Sequence, residues 1–187
     1  MLSQFSADGD KLTLAQLSDF PKDVYPVGRL DADSEGLLIL TNDKELNHRL
    51  LNPKFKHSRA YLVQIEGSVT DEAIVKLCSG VSITIEGNTY QTIQAKATIL
   101  PTDPILPVRN PPIRFRKNKP TSWIELTLYE GKNRQVRKMT ATIGFPTLRL
   151  VRKSIEGINL GEMQPGEVRV LQKDNIYHLL FENKNLD

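Results

Sequence analysis

Residues 28–36 carry the densest set of groups in the chain that could do chemistry. One arginine and three carboxylates lie between two glycines, in the order Gly28, Arg29, Asp31, Asp33, Glu35 and Gly36. A carboxylate that is held in place and partly removed from water can serve as a base or as a nucleophile. Aspartate and glycine are also ordinary turn residues, so the spacing by itself leaves a purely structural turn open.

An apolar run follows this segment and indicates how it is held. Residues 37–40 are all aliphatic, and a short apolar run bounded by turn residues is typical of a buried strand. We therefore expect a strand over Leu37–Thr41. The charged segment then lies at the edge of the core, where a carboxylate such as that of Asp31 can be fixed and partly desolvated.

A second group of charged residues occurs in EGKNRQVRKM, where we expect a helix over Asn133–Ile143. At about 100° per residue the apolar side chains share one face, and Arg137 falls at its border. A guanidinium at such a border can reach a partly buried carboxylate and form a charge-assisted pair. Arg134 and Lys138 lie on the opposite face and, with Lys132, would stay free for phosphate groups. The alternative is an ordinary amphipathic helix with a solvated basic face.

The charge of the chain is unevenly distributed. Residues 109–153 contain 12 lysines and arginines against two acidic residues, whereas the net charge of the whole chain is only +3. Such asymmetry favours a surface that binds a polyanion over a merely solvated basic face. Arg114 and Arg116 lie in the proline-rich stretch over residues 100–120, which we expect to be an extended loop.

Two of these motifs together resemble a known enzyme family. GRLD followed by GLLILTND, with QVR further along, is similar to the pseudouridine synthases of the small-subunit-A type, which modify bacterial ribosomal RNA. Within that family, the segments NPPIRFRKNKPTSW and GFPTLRLVRKSI look most like the type-E synthases that act on the large ribosomal subunit. The resemblance runs from Leu12 to Leu171 in the family's order.

The resemblance implies roles for individual residues. Asp31 matches the catalytic aspartate, and Arg137 matches the arginine that pairs with it. Tyr61 matches the tyrosine that packs on the target base, and Leu150 matches an apolar wall of the uracil pocket. The residues expected to bind the substrate and its RNA backbone are Arg29, Arg114, Arg116, Lys132, Arg134 and Lys138.

The implied reaction is the site-specific isomerisation of uridine to pseudouridine in large-subunit ribosomal RNA. The base is flipped out of its stack, the glycosidic bond is cleaved, and the uracil is rejoined to the ribose through C5. This chemistry requires no cofactor and no metal, and the sequence has no dinucleotide or phosphate-loop motif. One alternative is a non-catalytic RNA-binding or ribosome-assembly factor. Another is a glycosidase-like hydrolase that pairs Asp31 with Asp33 or Glu35.

The pattern of elements favours an α+β fold, with a mixed, mainly antiparallel central sheet flanked by helices and two lobes that share the sheet. We expect a single domain over residues 1–187. We also expect the family's first strand, which carries a Lys-Pro motif, and the S4-type RNA-binding domain of many relatives to be missing.

Local patterns predict the individual elements. Helices are expected over Leu12–Phe20 and over Asp71–Ser79, the second of them capped by Thr70. A third helix is expected to run from a cap at Asn42 or Asp43 to Leu51, with Leu46, Leu50 and Leu51 buried. Further strands are expected over Val24–Val27, Ser58–Glu66, Val81–Glu86, Thr89–Leu100, Ser122–Tyr129, Thr147–Ile155 and Val168–Leu171.

The composition also bears on the cellular setting. No run of 18 apolar residues and no signal pattern is found, so we expect no membrane span and a cytoplasmic location. A single cysteine, Cys78, excludes an internal disulfide framework. His48, His57 and His178 are scattered without ligand spacing, so no zinc site is expected. We expect the chain to act as a monomer on ribosomal RNA.

Overall fold

The computed structural model describes residues 1–113 and 119–182 of the chain. Its strands are β1 (Tyr25–Pro26), β2 (Glu35–Gly36), β3 (Leu40–Thr41), β4 (Arg59–Glu66), β5 (Ser82–Ile85), β6 (Asn88–Gln91), β7 (Lys96–Ile99), β8 (Thr121–Leu128), β9 (Thr147–Ile155) and β10 (Ile158–Asn159). Its α-helices are α1 (Lys44–Leu51), α2 (Asp71–Ser79), α3 (Gln135–Thr142) and α4 (Lys173–Tyr177). Short 3₁₀ turns cover Leu14–Gln16 and Pro53–Phe55, and a π-helical turn, His178–Glu182, continues α4.

The central sheet has the strand order β10-β9-β4-β8-β7, and these neighbours are all antiparallel. The short strand β2 adds to β9 in the parallel direction, which makes the sheet mixed. The fold is therefore α+β with a mainly antiparallel sheet, as expected. Tyr61 on β4 lies opposite Arg152 on β9, and a register shift separates Ala60 from Tyr61.

Alternation along β4 sends neighbouring side chains into different apolar clusters. Val63 belongs to a cluster with Leu77 of α2 and Met139 of α3, so both helices pack on that face. Leu62 belongs to a separate cluster with Trp123 and Val151, against which residues of the β7–β8 connection also pack. A third cluster joins the strand region around residues 27–39 to α1 and to the C-terminal turn at residues 178–182.

The predicted helix caps are confirmed. Asp43 accepts hydrogen bonds from the backbone nitrogens of residues 45 and 46 at the start of α1, and Thr70 accepts one from residue 73 in α2. Leu46 and Leu50 are buried as expected. Leu51 is 47 % exposed, so its expected burial is wrong, because the helix ends at this residue and turns its side chain toward solvent.

The strand expected over Leu37–Thr41 is reduced to β3 (Leu40–Thr41), and the segment just before it pairs with a different strand. β2 lies beside β9, and the Leu37 nitrogen donates to the Arg152 carbonyl at 3.0 Å. β3 pairs instead with β1, which confirms the strand expected near residues 24–27. An apolar pattern predicts that a segment is buried but does not predict which strand it pairs with, so it could not reveal this change of partner.

Three further sequence predictions are wrong. The helix expected over Leu12–Phe20 is reduced to the 3₁₀ turn Leu14–Gln16, because little apolar surface is buried there: Leu14 is buried, but Leu12 is exposed. The strand expected over Thr89–Leu100 is divided into β6 and β7, which pair with β5 and β8. Residues 168–171, all within the described chain, form no strand and are largely exposed.

Candidate active site

The loop over residues 28–36 is fixed at both of its ends. At its start, the Ser3 hydroxyl accepts from the Leu30 nitrogen at 3.0 Å and donates to the Leu30 carbonyl at 3.2 Å. Inside the loop, the Ser34 nitrogen donates to the Asp31 carbonyl at 2.9 Å. At its end, Gly36 has a φ of +103° and lies so close to β9 that a Cβ would be 2.4 Å from the Arg152 carbonyl oxygen. The loop therefore has a defined position against the sheet.

A buried carboxylate holds the entry to α3. Glu130 accepts hydrogen bonds from the Tyr90 hydroxyl, from the Ile93 nitrogen at 3.1 Å and from the Gln135 side-chain amide at 2.7 Å. The Gln135 amide oxygen in turn accepts from the Lys132 nitrogen at 2.9 Å. The Glu130 hydrogen bond raises the pKa of Tyr90 to about 12, and burial and the charge of Glu130 act in the same direction. This network fixes the turn that precedes the basic helix.

Arg134 lies in the left-handed backbone region, with φ +51° and ψ +32°, immediately before α3. Its guanidinium points to the loop and binds the Asp33 carboxylate through two hydrogen bonds of 3.1 Å. The same guanidinium lies 3.6 Å from an Asp31 carboxylate oxygen. The side chain of Asp31 is 29 % exposed, so solvent or a ligand can still reach this carboxylate.

Arg137, one turn further along α3, approaches the same loop from its buried side. Its Nη2 donates to the Asp33 carbonyl at 2.9 Å and to the Ser34 hydroxyl at 3.4 Å, and it lies 3.3 Å from the Asp33 carboxylate. The side chain is only 12 % exposed. Asp33 is therefore the residue on which both arginines converge.

The charges of this cluster perturb one another. Burial by itself would raise the pKa of Asp33, but the hydrogen bond from Arg134 and the charges of both arginines outweigh it, so the pKa is lowered. Burial lowers the pKa of Arg137, while the charges of Asp33 and Asp31 oppose that shift. The hydrogen bond to Asp33 raises the pKa of Arg134. Asp33 is thus an ionised carboxylate at neutral pH.

This arrangement differs from the pairing expected from the sequence. The sequence predicts that Arg137 pairs with Asp31, but Arg137 contacts Asp33 and Ser34 instead. The cation near Asp31 is Arg134. The sequence also predicts that Arg134 is free for phosphates on the outer face of a helix. It precedes the helix in a left-handed conformation, so the helical angle on which that direction depends does not apply to it.

Tyr61 and Leu150 lie on the same side of the sheet. Leu150 belongs to the core cluster of Val63 and Met139, and Tyr61 packs against that cluster. Beside Tyr61 lies Arg152, whose side chain is 4 % exposed and whose Nε donates to the Leu37 carbonyl at 2.7 Å. Burial lowers the pKa of Arg152, while its interaction with the Tyr61 hydroxyl opposes the shift. Sequence reasoning missed Arg152, since nothing in the strand pattern marks a buried arginine.

The other expected RNA-binding residues occupy different places. Arg29 and Lys132 are exposed, and the Lys132 ammonium lies 4.7 Å from the centre of the Tyr90 ring. Lys138 is half-buried on α3. Arg114 and Arg116 lie outside the described residues.

The far side of the loop is held by a second set of ion pairs, which the sequence did not reveal. The Arg149 guanidinium binds both Glu35 carboxylate oxygens, at 3.0 and 2.8 Å. Arg149 also donates to the Pro107 carbonyl at 2.9 Å, and Arg109 lies 3.5 Å from Glu35. Glu35 therefore connects the loop to β9 and to the β7–β8 connection.

Metal ligation and membrane spanning find no support in the described part of the chain. No group of three or more histidine, cysteine, aspartate or glutamate side chains in residues 1–113 and 119–182 is arranged to hold a metal ion. Over the same ranges no helix combines the length and the apolar character needed to cross a bilayer.

Comparison with known proteins identifies close relatives of this chain. A family model described as RNA pseudouridylate synthase matches residues 4–142. The chain is 48 % identical over 171 residues to ribosomal large subunit pseudouridine synthase E of Vibrio parahaemolyticus, covering 91 % of this chain and 69 % of that protein. It is 46 % identical over 172 residues to the protein of the same name from Xanthomonas campestris pv. campestris, with 91 % and 89 % covered.

A solved structure supports the same relationship. The crystal structure of a pseudouridylate synthase superposes with a TM-score of 0.73 at 29 % sequence identity, covering 92 % of this chain and 67 % of that one. The fold class predicted from the sequence is confirmed.

Proposed function

Because this chain belongs to the RNA pseudouridylate synthase family, we propose that it isomerises specific uridines to pseudouridine in large-subunit ribosomal RNA. The names of the relatives from Vibrio and Xanthomonas support this substrate. The observation that carries the proposal is the position of Asp31. Its carboxylate is partly exposed, lies 3.6 Å from Arg134 and sits in a loop fixed against the central sheet.

Asp31 is the proposed catalytic carboxylate, acting as nucleophile or base. During the isomerisation the C1′–N1 bond breaks, the uracil turns, and a C1′–C5 bond forms. The proton on C5 is lost and N1 gains one, so the atoms of the nucleotide are conserved. The guanidinium of Arg134, 3.6 Å from a carboxylate oxygen of Asp31, lies close enough to hold this side chain in place. Electrons and external groups are not exchanged, so the proposal includes no cofactor.

The target base must leave its stack before Asp31 can reach the ribose, at a cost of a few kcal/mol. We assign Tyr61 to the flipped uracil, because its aromatic ring can replace part of the lost stacking. Leu150 would form an apolar wall next to it, and both residues belong to the same side of the sheet. Arg137 would act in this proposal through Asp33 and Ser34, the groups that it contacts.

The RNA backbone would be held by exposed cations around the loop and α3. Arg29 and Lys132 are exposed, and Arg134 is exposed in part. Arg114 and Arg116 keep the role expected from the sequence. Contacts of this kind make binding fall steeply with salt concentration. The proposal places the reaction in the cytoplasm, with the chain acting as a monomer.

The geometry argues against the glycosidase alternative. A hydrolase of that class needs a second carboxyl group that can give or take a proton near Asp31. Asp33 is bound by both arginines of the α3 region, and Glu35 is bound through both oxygens by Arg149. The lowered pKa of Asp33 disfavours its protonation, and both oxygens of Glu35 are already occupied by Arg149.

The deciding experiment uses large-subunit ribosomal RNA from a strain that lacks this gene. The RNA is incubated with the wild-type protein or with Asp31→Asn, and pseudouridine is mapped by carbodiimide modification and primer extension. We expect a new stop at a defined position with the wild type alone. RNA binding without any stop, on free RNA and on subunit precursors, would favour the assembly-factor alternative. Release of free uracil would favour the hydrolase.

A further inference from the structure

Asp33, and not Asp31, receives the main contacts of the two arginines. The carboxylate of Asp33 binds Arg134 through two hydrogen bonds of 3.1 Å and lies 3.3 Å from Arg137. The backbone carbonyl of Asp33 accepts a further bond from Arg137 at 2.9 Å. Arg134 and Arg137 follow Asp33 in the sequence by 101 and 104 residues, so these contacts join the loop to the region of α3.

We propose that Asp33 is a positioning residue, which holds Arg134 and Arg137 side by side and thereby places the Arg134 guanidinium next to Asp31. The inference rests on the proposed function, since its consequence is a change in the reactivity of Asp31. Two guanidinium groups in one small region repel each other, and an ionised carboxylate between them offsets that repulsion. Arg137 needs this partner most, because its side chain is only 12 % exposed.

The division of work between the two aspartates has a chemical reason. A carboxylate whose two oxygens both accept hydrogen bonds from an arginine is a weaker nucleophile than a carboxylate with free oxygens. Asp33 takes this tight pairing, and Asp31 keeps a looser contact of 3.6 Å with one accessible side. Arg134 uses two of its N–H groups on Asp33, so others remain for a phosphate of the target nucleotide.

The test compares Asp33→Asn and Asp33→Glu with the wild type on the ribosomal RNA substrate. We expect Asp33→Asn to lower kcat by about 10-fold to 100-fold, with a smaller change in KM, because it loosens groups beside the reacting carboxylate. We also expect the acidic limb of the kcat–pH profile to move to lower pH. The reason is that a negative charge beside the active-site loop is lost and both arginines become free to pair with the reacting carboxylate. Asp33→Glu restores the charge and recovers most of kcat.

Glu35→Gln is the matched control. It also removes a carboxylate of the same loop that is bound by an arginine, but its partner Arg149 belongs to β9 and not to α3. The acidic limb of this variant should stay in place. A double-mutant cycle with Arg134→Gln adds a second measurement, in which Asp33→Asn and Arg134→Gln together should cost no more than the larger single effect.

The outcomes separate this inference from the proposed function. A wild-type protein that forms no pseudouridine contradicts the function. An active wild type, with an Asp33→Asn variant of unchanged kcat and acidic limb, contradicts only the positioning role. Additive effects in the cycle would do the same. If Asp33→Asn fails to fold, Arg134→Gln decides. The positioning role requires this variant to lose kcat with a smaller change in KM, and an unchanged kcat contradicts it.

Discussion

Tyr61 lies opposite Arg152 across the β4–β9 pair, and the buried guanidinium of Arg152 donates to the Leu37 carbonyl. Among the described residues, the Nη2 atom of Arg152 has no hydrogen-bond partner. The tyrosine that we assign to the target base therefore has a buried, charged side chain as its neighbour across the strands. This group also holds the segment that follows the Asp31 loop.

The ring and the hydroxyl of Tyr61 can be tested separately. Tyr61→Leu removes the ring, and we expect kcat/KM to fall by about 10-fold to 100-fold, because stacking of a base on an aromatic ring contributes about 1–3 kcal/mol. Tyr61→Phe keeps the ring and should lose less. The exposed Tyr25 provides the control variant Tyr25→Leu. Equal losses for Phe and Leu at position 61 would assign the role to the hydroxyl beside Arg152.

The close approach of Gly36 to β9 predicts a large effect of a single methyl group. Gly36→Ala combines an unfavourable φ with a Cβ 2.4 Å from a backbone oxygen, so we expect unfolding free energy to fall by about 3 kcal/mol. Gly87 has a φ of +81° with open space around it, so Gly87→Ala should cost only about 1 kcal/mol. Urea unfolding measures both. Equal costs would mean that the β9 contact contributes nothing beyond backbone strain.

Asp43 predicts a pH-dependent stability. Hydrogen bonds from Lys173, from the Leu46 nitrogen and from Tyr177 hold its pKa at about 2, below the usual 3.8. A carboxylate with a lowered pKa stabilises the fold above its unfolded pKa, and this stabilisation is lost as pH falls toward 2. Asp43→Ala should therefore cost about 1 kcal/mol at pH 7, as for other N-caps, and the difference from wild type should shrink between pH 4 and pH 2. A difference that stays constant over this range would contradict the ion pair.

The salt dependence of RNA binding tests the role of Arg29. If its guanidinium neutralises one phosphate, Arg29→Gln should lower the slope of log K against log salt by about 0.7–0.9. Lys11, which pairs with Asp8 three residues away, provides the control Lys11→Gln. Fluorescence titrations at several salt concentrations measure the slopes. An unchanged slope would place Arg29 outside the RNA interface.

The sequence predicted the features of this fold that depend on local patterns. The cap at Asp43, the cap at Thr70 and the strand β4 are set by neighbouring residues, and the structure confirms them. The left-handed conformation of Arg134 depends instead on the network around Glu130, and its partner Asp33 is 101 residues away. Helical periodicity describes only residues inside a helix, so it gave the wrong direction for this side chain.

An apolar pattern does not indicate which strand a buried segment pairs with. The run over residues 37–40 predicted burial of this segment, and Leu37 and Ile39 are buried. It did not predict that Gly36 and Leu37 follow β9 while Leu40 pairs with β1. The buried guanidinium of Arg152 donates to the Leu37 carbonyl, a contact that exists only once the two segments are adjacent.

The ion pairs of Glu35 affect the entropy cost of RNA binding. Through Arg149, Pro107 and Arg109 this single carboxylate ties the Asp31 loop to the β7–β8 connection, two segments about 70 residues apart in the chain. Ordering a loop side chain at an interface costs about 0.5–1.5 kcal/mol when it happens on binding. In this protein that ordering takes place during folding. Residues 107–109, which contact the Asp31 loop through Glu35, are therefore preorganised, and their side-chain entropy is lost before RNA binds.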